Sequence, residues 1–220
     1  MTAHGRGEAF DYILGERTSK FARSAIEAAV AEMLLAERPV ISVNGNVAAL
    51  VPAEIVTLAK LVGAKIEVNL FHGSNRREVA IAKYLRKHGA EDVFGVGSKF
   101  ATRIPEINSN RRKVDRRGIA ASDVVLIPLE DGDRAMALRK LGKRVIAIDL
   151  NPMSRTARAA DIAIVDNITR ALPLMIETAK SISQKPREKL QKIMEKFDNN
   201  ANLKASLRFM LERLENLSRG

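Results

Sequence analysis

Short runs rich in Val and Ile recur along this chain, and a longer segment of helical periodicity separates most of them from the next. The runs are Val40–Val43, Lys65–Leu70, Asp92–Val96, Asp123–Leu129, Val145–Ile148 and Ile162–Val165. Strands buried on both faces of a parallel sheet are continuously aliphatic, and a parallel pair needs a crossover long enough to hold a helix. The alternation predicts an α/β fold: a mostly parallel Rossmann-like sheet with helices on both faces. Hydrophobic residues make up 46% of the 220 but aromatics only 4%, with no Trp, so the core has to be aliphatic.

Between the runs, apolar residues fall at helical spacing. Phe21, Ala25, Ile26, Ala29, Val30, Met33 and Leu34 predict a helix over 16–37, capped by Thr18 or Ser19. Further helices are expected over 52–62 (stopped by Gly63), 76–88, after Asp133 to Leu141, and 169–183. Beyond Lys185-Pro186 the chain turns helical and charged. Leu190, Ile193, Met194 and Phe197 share one face, Asp198 breaks it, and Leu203, Leu207, Met210, Leu214 and Leu217 follow at 4-3-4-3 spacing. The expected organisation is a nucleotide- and substrate-binding domain over 1–183 and a C-terminal helical hairpin over 184–220, covering that domain or a second subunit.

Several classes of chemistry are excluded. With no Cys there are no disulfides, thiolate metal sites or thiol nucleophiles, and no Ser-His-Asp, HExxH or His-rich pattern is present. No signal-like start and no apolar run of about 18–20 residues occurs, so a cytoplasmic protein without membrane spans is expected. The net charge is +11, spread over Arg76-Arg77, Arg111-Arg112-Lys113, Arg116-Arg117 and the C-terminal helices. Such a charge favours anionic partners, nucleic acid or phosphorylated small molecules. Neither aromatic stacking platforms nor a helix-turn-helix pattern accompanies it, so a nucleic-acid-binding module is the weaker reading and no nucleic-acid partner is expected.

Polar loops follow most of the runs, where open α/β sheets place ligands. Asn44-Gly45-Asn46 follows the first, and its glycine between two Asn fits a tight turn or an approach to phosphate. His72 follows the second as a phosphate contact or an ordinary loop residue. The polar stretch 97–118 is either a lid for an anion or a solvated insertion. Glu130, Asp131 and Asp133 suit Mg²⁺ or the end of the next helix. The richest loop carries Asp149, Asn151, Ser154, Arg155 and Thr156, with a fresh helix start at Asn167-Ile168. His4-Gly5-Arg6-Gly7-Glu8 at the N-terminus is either a backbone approach to a ligand or a frayed end. By themselves these features reach a nucleotide- or phosphate-binding α/β protein. An NAD(P)-dependent oxidoreductase is the alternative, weakened because no GxGxxG follows any strand.

Five strings, AHGRGEAFDYILGERT (3–18), PVISVNGNVAALVP (39–52), GAKIEVNLFHG (63–73), DVVLIPLEDGDRA (123–135) and VIAIDLNPMSRTARAADIAIVDNITRALP (145–173), resemble the archaeal phosphopantothenate synthetase family, also called 4-phosphopantoate–β-alanine ligase. The resemblance implies an ATP-dependent ligase of coenzyme A biosynthesis. Such an enzyme joins 4-phosphopantoate to β-alanine through an acyl-adenylate, with Mg²⁺, giving 4′-phosphopantothenate, AMP and diphosphate. It also implies a homodimer, with the 203–217 helix suited to that interface. Carried onto this chain, the ATP contacts fall on Arg6, Asp149, Leu150, Asn151, Arg155, Thr156, Asn167 and Ile168. Asn44, Gly45, Asn46 and His72 are candidates for the phosphopantoate side. The resemblance assigns no catalytic residue or metal ligand. Family members carry a further helical, Arg-containing segment before the counterpart of Ala3, and an ATP-contacting Arg from it is expected to be missing here.

Overall fold

The computed structural model describes residues 2–107 and 109–219, and in residues 2–7 the backbone alone. Helices α1 (Thr2–Leu14) and α2 (Lys20–Leu35) precede strand β1 (Pro39–Val43), and α3 (Gly45–Leu50) and α4 (Pro52–Val62) lead to β2 (Lys65–Val68). Helix α5 (Asn75–Lys87) then leads to β3 (Val93–Phe94), β4 (Ala101–Arg103), β5 (Lys113–Asp115) and β6 (Val124–Pro128). The chain continues through α6 (Gly132–Lys140), β7 (Arg144–Ile148), α7 (Arg155–Ala159), β8 (Ile162–Ile164), α8 (Ile168–Ile182), α9 (Arg187–Glu195) and α10 (Asn199–Arg219).

The six-stranded sheet runs β3-β2-β1-β6-β7-β8 and every pairing in it is parallel. With the β4-β5 hairpin set aside, this is the doubly wound order 3-2-1-4-5-6, whose direction of winding reverses between β1 and β6. The expected α/β class and the helices on both faces are present. Ile41, Val43, Ile66, Leu126, Ile146 and Ile164 point into one aliphatic core under α2, α4, α5 and α8. Alternate residues Val40, Val125, Ile127, Val145 and Ala163 point into the other, under α6, α7 and α10.

Three expectations need amending. The N-terminal segment is helical despite Gly5 and Gly7, because its second half docks: Leu14 is buried in the second core and Arg213 Nε donates to the Ile13 carbonyl. Gly15, at φ +78°, ends this helix with a Schellman-type bond from Glu16 N–H to the Asp11 carbonyl. The C-terminal helices do not pack on each other as a hairpin. Helix α9 places Leu190 in the first core against α2, and α10 places Leu203 and Met210 in the second, so the two clasp opposite faces of the sheet. Leu207, Leu214 and Leu217 of the heptad-like stripe stay exposed, with Leu211 beside them.

The third concerns the stretch 97–118, which is neither a bare loop nor a solvated one. Strands β4 and β5 pair antiparallel, and Ile104, Ile107, Val114 and Ile119 bury themselves in the second core. Two polar side chains at or just beyond the end of β2 staple this insertion to the sheet. Asn69 Nδ2 donates to the carbonyls of Arg111 (3.3 Å) and Lys113 (2.8 Å), and Glu67 accepts from Asp115 N–H (3.0 Å) and Ile119 N–H (2.6 Å). Gly118 permits that approach, since a Cβ there would lie 2.1 Å from Glu67 Oε2.

Glu67 is wholly buried, and burial pushes its carboxyl up to about 7 from an ordinary 4.5, against the two N–H groups that favour the charged form. A carboxyl held above its unfolded value contributes stability that is present in acid and lost as pH rises through the folded pKa. Unfolding free energy is therefore expected to fall as pH rises from the ordinary value towards about 7. Glu67→Gln should flatten that part of the profile while lowering stability throughout, because its NH₂ meets one of the two backbone donors. Denaturant unfolding across a pH series checks this, and an unchanged slope in the variant would refute it.

Candidate functional site

The carboxyl ends of β1, β2, β6, β7 and β8 carry the candidate residues, and most of the loops there are folded by their own polar side chains. After β7, Asp149 accepts from Asn151 N–H (2.9 Å) and Ser154 Oγ (2.5 Å), Asn151 Oδ1 accepts from Met153 N–H (2.9 Å), and Ser154 caps α7 through Ala157 N–H (3.0 Å). Burial raises the Asp149 carboxyl above its ordinary value. Leu150 rests against the second core. Arg155 opens α7 exposed, held by Asp133 (Nη1–Oδ1 2.8 Å), and buried Thr156 donates to the Glu130 carbonyl (2.9 Å).

At the end of β8, Asn167 caps α8 through Thr169 N–H (3.1 Å) and donates to Asp11 Oδ2 (2.8 Å). The Ile168 side chain is core; what it presents at the edge is the first amide of α8, which no earlier helical carbonyl serves. Asp11 lies on α1, the helix that carries Arg6. The Arg6 side chain lies outside the described residues, but its helix is tied to the β8 end. Arg170 completes the tie by bridging Asp11 and Asp166, and buried Asp166 also accepts from Thr18 Oγ1 (2.6 Å). Ser19, not Thr18, caps α2.

The substrate candidates form a second group at the β1 and β2 ends. Asn44 Oδ1 caps α3 through Asn46 and Val47 N–H, while its Nδ2 donates to the carbonyls of Pro128 (3.3 Å) and Leu129 (3.0 Å). All four of its hydrogen-bonding positions are thereby used inside the fold. Gly45 and Asn46 are more open, and His72 is exposed on the next loop. Arg77 links them, donating to the His72 carbonyl (2.6 Å) with its Nη2 3.4 Å from where a Gly45 Cβ would stand.

The β6–α6 loop joins the two groups. Asn44 grips its start, Thr156 its middle, and Gly132 meets α7 so closely that an added Cβ would lie 2.3 Å from Arg155 Cβ. Leu129 in this loop has φ 52°, a left-handed conformation rare for a branched side chain, held at the winding reversal of the sheet. Of the acidic residues there, Asp131 caps α6 through Arg134 N–H (2.9 Å) and accepts from Arg111, while Glu130 pairs with Arg111 and with Arg134 (2.6 Å). Arg134 is fully buried, and burial lowers its guanidinium to about 10, still charged at neutral pH. The carboxylates are thus committed to helix and cation partners. Among the described residues no cluster of three or more His, Asp or Glu suits a metal ion.

The loop and motif pattern does not single out Arg77, Arg134, Glu67, Asp11 or Arg170. A glutamate inside the Val/Ile run at Lys65–Leu70 and the i,i+4 spacing of Glu130 to Arg134 are signals that point to two of them.

Fold and site together define a doubly wound α/β protein whose polar loops gather at the carboxyl edge of the sheet, the ligand edge of that class. The chain belongs to the phosphopantothenate/pantothenate synthetase family, whose sequence model matches residues 21–213. It is 52% identical over 219 residues to a Thermococcus kodakarensis protein named 4-phosphopantoate–β-alanine ligase, covering 99% of this chain and 83% of that one. Proteins of the same name from Thermococcus onnurineus (52%, covering 100% of this chain and 84% of that one) and Methanosarcina mazei (48%, 99% and 85%) are similar throughout.

Proposed function

We propose that this protein is an ATP-dependent ligase that condenses 4-phosphopantoate with β-alanine in coenzyme A biosynthesis, releasing 4′-phosphopantothenate, AMP and diphosphate. The observation that carries the reading is similarity at 44–52% identity, over nearly the whole chain, to proteins named for that reaction. The nucleotide belongs to the β7–β8 edge. There Arg155 meets a phosphate, Asp149 or Asn151 the ribose or base, and the Ile168 amide adds a donor at a helix start, with Leu150, Thr156 and Asn167 shaping the loop and Arg6 arriving from α1. Gly45, Asn46 and His72, with Arg77 beside them, face the phosphopantoate side, and Asn44 holds their loop.

The donor set suits a polyanion well and a resident metal poorly, so Mg²⁺ enters with the nucleotide's phosphates, as it commonly does. The chemistry asks little covalent work of the protein. The acceptor carboxylate attacks the α-phosphate, diphosphate leaves, and the β-alanine amine displaces AMP from the acyl-adenylate. What the side chains supply is alignment of two anions and cations facing the charge that builds on the phosphate. A cytoplasmic homodimer completes the reading. The exposed Leu207, Leu211, Leu214 and Leu217 of α10 support a second copy as its partner, and among the described residues no helix is long and apolar enough to cross a membrane.

Incubation with ATP, Mg²⁺, 4-phosphopantoate and β-alanine tests this. AMP and phosphopantothenate should appear together and only when both acceptors are present; AMP without phosphopantothenate, or no turnover, refutes it. In the same assay Arg155→Ala should raise the KM for ATP about 10-fold or more, the loss of one charge-assisted phosphate contact, while melting as the parent does. An unmoved KM in a folded variant would remove the central loop from the nucleotide site.

A further inference from the structure

Arg134, the third residue of α6, is the largest fully buried side chain among the described residues. Its Nη1 donates to Glu130 Oε2 (2.6 Å), and its Nε and Nη2 have no hydrogen-bond partner among the described residues. The guanidinium is thus spent on one carboxylate. Helix α6 does not need it for attachment, since Asp131 caps the helix and Ala135 and Leu138 bury its apolar face. An apolar side chain of similar volume would fill the same space with no charge to desolvate, and a buried ion pair is often no more stabilising than such a replacement. What the arginine adds is a fixed direction for Glu130, because a guanidinium is a rigid planar fork.

Glu130 lies in the loop that both halves of the site grip. Thr156, at the start of α7, donates to the Glu130 carbonyl (2.9 Å). Asn44, which folds the loop after β1, donates to the carbonyls of Pro128 (3.3 Å) and Leu129 (3.0 Å). Between these grips Leu129 has φ 52°, and strained backbone of that kind persists only where its surroundings over-determine it. The buried Glu130 side chain supplies the third grip: Arg111 reaches it from the insertion, and Arg134 from the helix that the loop leads into.

We propose that Arg134 is a positioning residue for the ligation: acting through Glu130, it fixes the β6–α6 loop and so the spacing between the nucleotide loop after β7 and the loop after β1. The proposal rests on the ligase reading above, in which those two loops serve the two anionic substrates. With no exposed surface, Arg134 touches neither substrate itself. Its removal leaves each loop the bonds that fold it, Ser154 to Asp149 and Ala157 on one side and Asn44 to Asn46 and Val47 on the other. Each half then still binds, but the carboxylate and the α-phosphate no longer meet in line. A displacement of about 1 Å between reacting groups costs about 100-fold in rate, so the effect falls on kcat rather than on either KM.

Arg134→Met removes the charge and Arg134→Lys keeps a cation toward Glu130; both are assayed well below their melting points. In Arg134→Met kcat should fall about 10- to 100-fold, with KM for ATP and for 4-phosphopantoate each within about 3-fold of wild type. Arg134→Lys should lose about 3- to 10-fold in kcat by the same split, a point charge replacing a planar fork. A purely structural role would lower the melting point and leave kcat of the folded protein unchanged, which overturns the proposal, as does a raised KM at intact kcat. Should Arg134→Met not fold, the lysine variant decides alone, and wild-type kcat in it sinks the idea. If the wild type makes no phosphopantothenate, the ligase reading fails on its own, and amide hydrogen exchange of the free protein tests the coupling. A folded Arg134 variant should then exchange faster at Val47 and Ala157, in the two loops it does not touch, with α8 and α9 as in the parent. Faster exchange confined to α6 refutes it.

Discussion

Arg170→Met is expected to lower the unfolding free energy at neutral pH by about 1–3 kcal/mol, the cost of leaving two buried carboxylates without their half-buried cation. Arg170 Nη2 serves Asp11 and Asp166 at once, and Nη1 and Nε add bonds to the same two carboxylates. Burial alone would raise the Asp11 carboxyl, but hydrogen bonds from Arg170 and Asn167 outweigh it and hold the group below its ordinary value. In the wild type, then, the stability owed to this carboxyl is present above that ordinary value, 3.8, and lost as pH falls through the folded pKa.

In the variant the sign reverses. Two carboxylates are left around the place of the guanidinium, and protonating one relieves both burial and repulsion. The deficit relative to wild type should therefore be largest near neutrality and shrink toward about pH 4.5, as denaturant unfolding at both pH values would measure. A deficit of equal size at both would mean that Arg170 acts through packing rather than charge. Because Asp11 also holds Asn167, the variant should loosen α1 from the end of β8 and raise the KM for ATP.

Gly132→Ala should cost about 1–3 kcal/mol, the usual penalty for forcing a methyl into a filled site, and should abolish nucleotide-dependent stabilisation. The glycine is required by approach rather than by an unusual φ. The added Cβ would stand 3.0 and 3.1 Å from the Arg155 carbonyl carbon and Thr156 N, and closer still to Arg155 Cβ, so the start of α7 has to move away from α6. Backbone does not yield as a flexible side-chain end does. That displacement also breaks the Thr156 bond to Glu130 and carries Arg155 off the edge of the sheet. Thermal melting with and without ATP separates the effects, since a ligand that binds the native state raises the midpoint by an amount that grows with the logarithm of its affinity. A variant that melts like the parent and keeps its ATP shift would show that the two loops adjust independently.

Much of this architecture is legible in the residue pattern alone. The six aliphatic runs are the six strands of the main sheet, shortened at most by a few residues, and Asn167, Ser154 and Asp131 cap the helices that follow them. Placing the ligand edge needs only the loops after those runs, because every parallel strand ends on the same side. The fate of individual charges is not legible. Arg111, Lys113 and Arg117 look alike in a basic stretch, yet each is consumed by an acid 2 to 35 residues away, while Arg103 and Arg112 meet no carboxylate among the described residues.

The N-terminal helix shows the same division. Its glycines argue against a helix locally, and what holds it is Asp11 meeting Asn167 and Arg170, partners 156 and 159 residues distant. Strands, the helices between them and the edge where ligands meet are written into short stretches of chain, because periodicity, capping and parallel topology act over a few residues at a time. Which cations are neutralised, where α1, α9 and α10 dock and how closely the α6 and α7 loops approach are settled only in the folded molecule. Those outcomes depend on charges and surfaces brought together across the whole chain, and no local pattern records them.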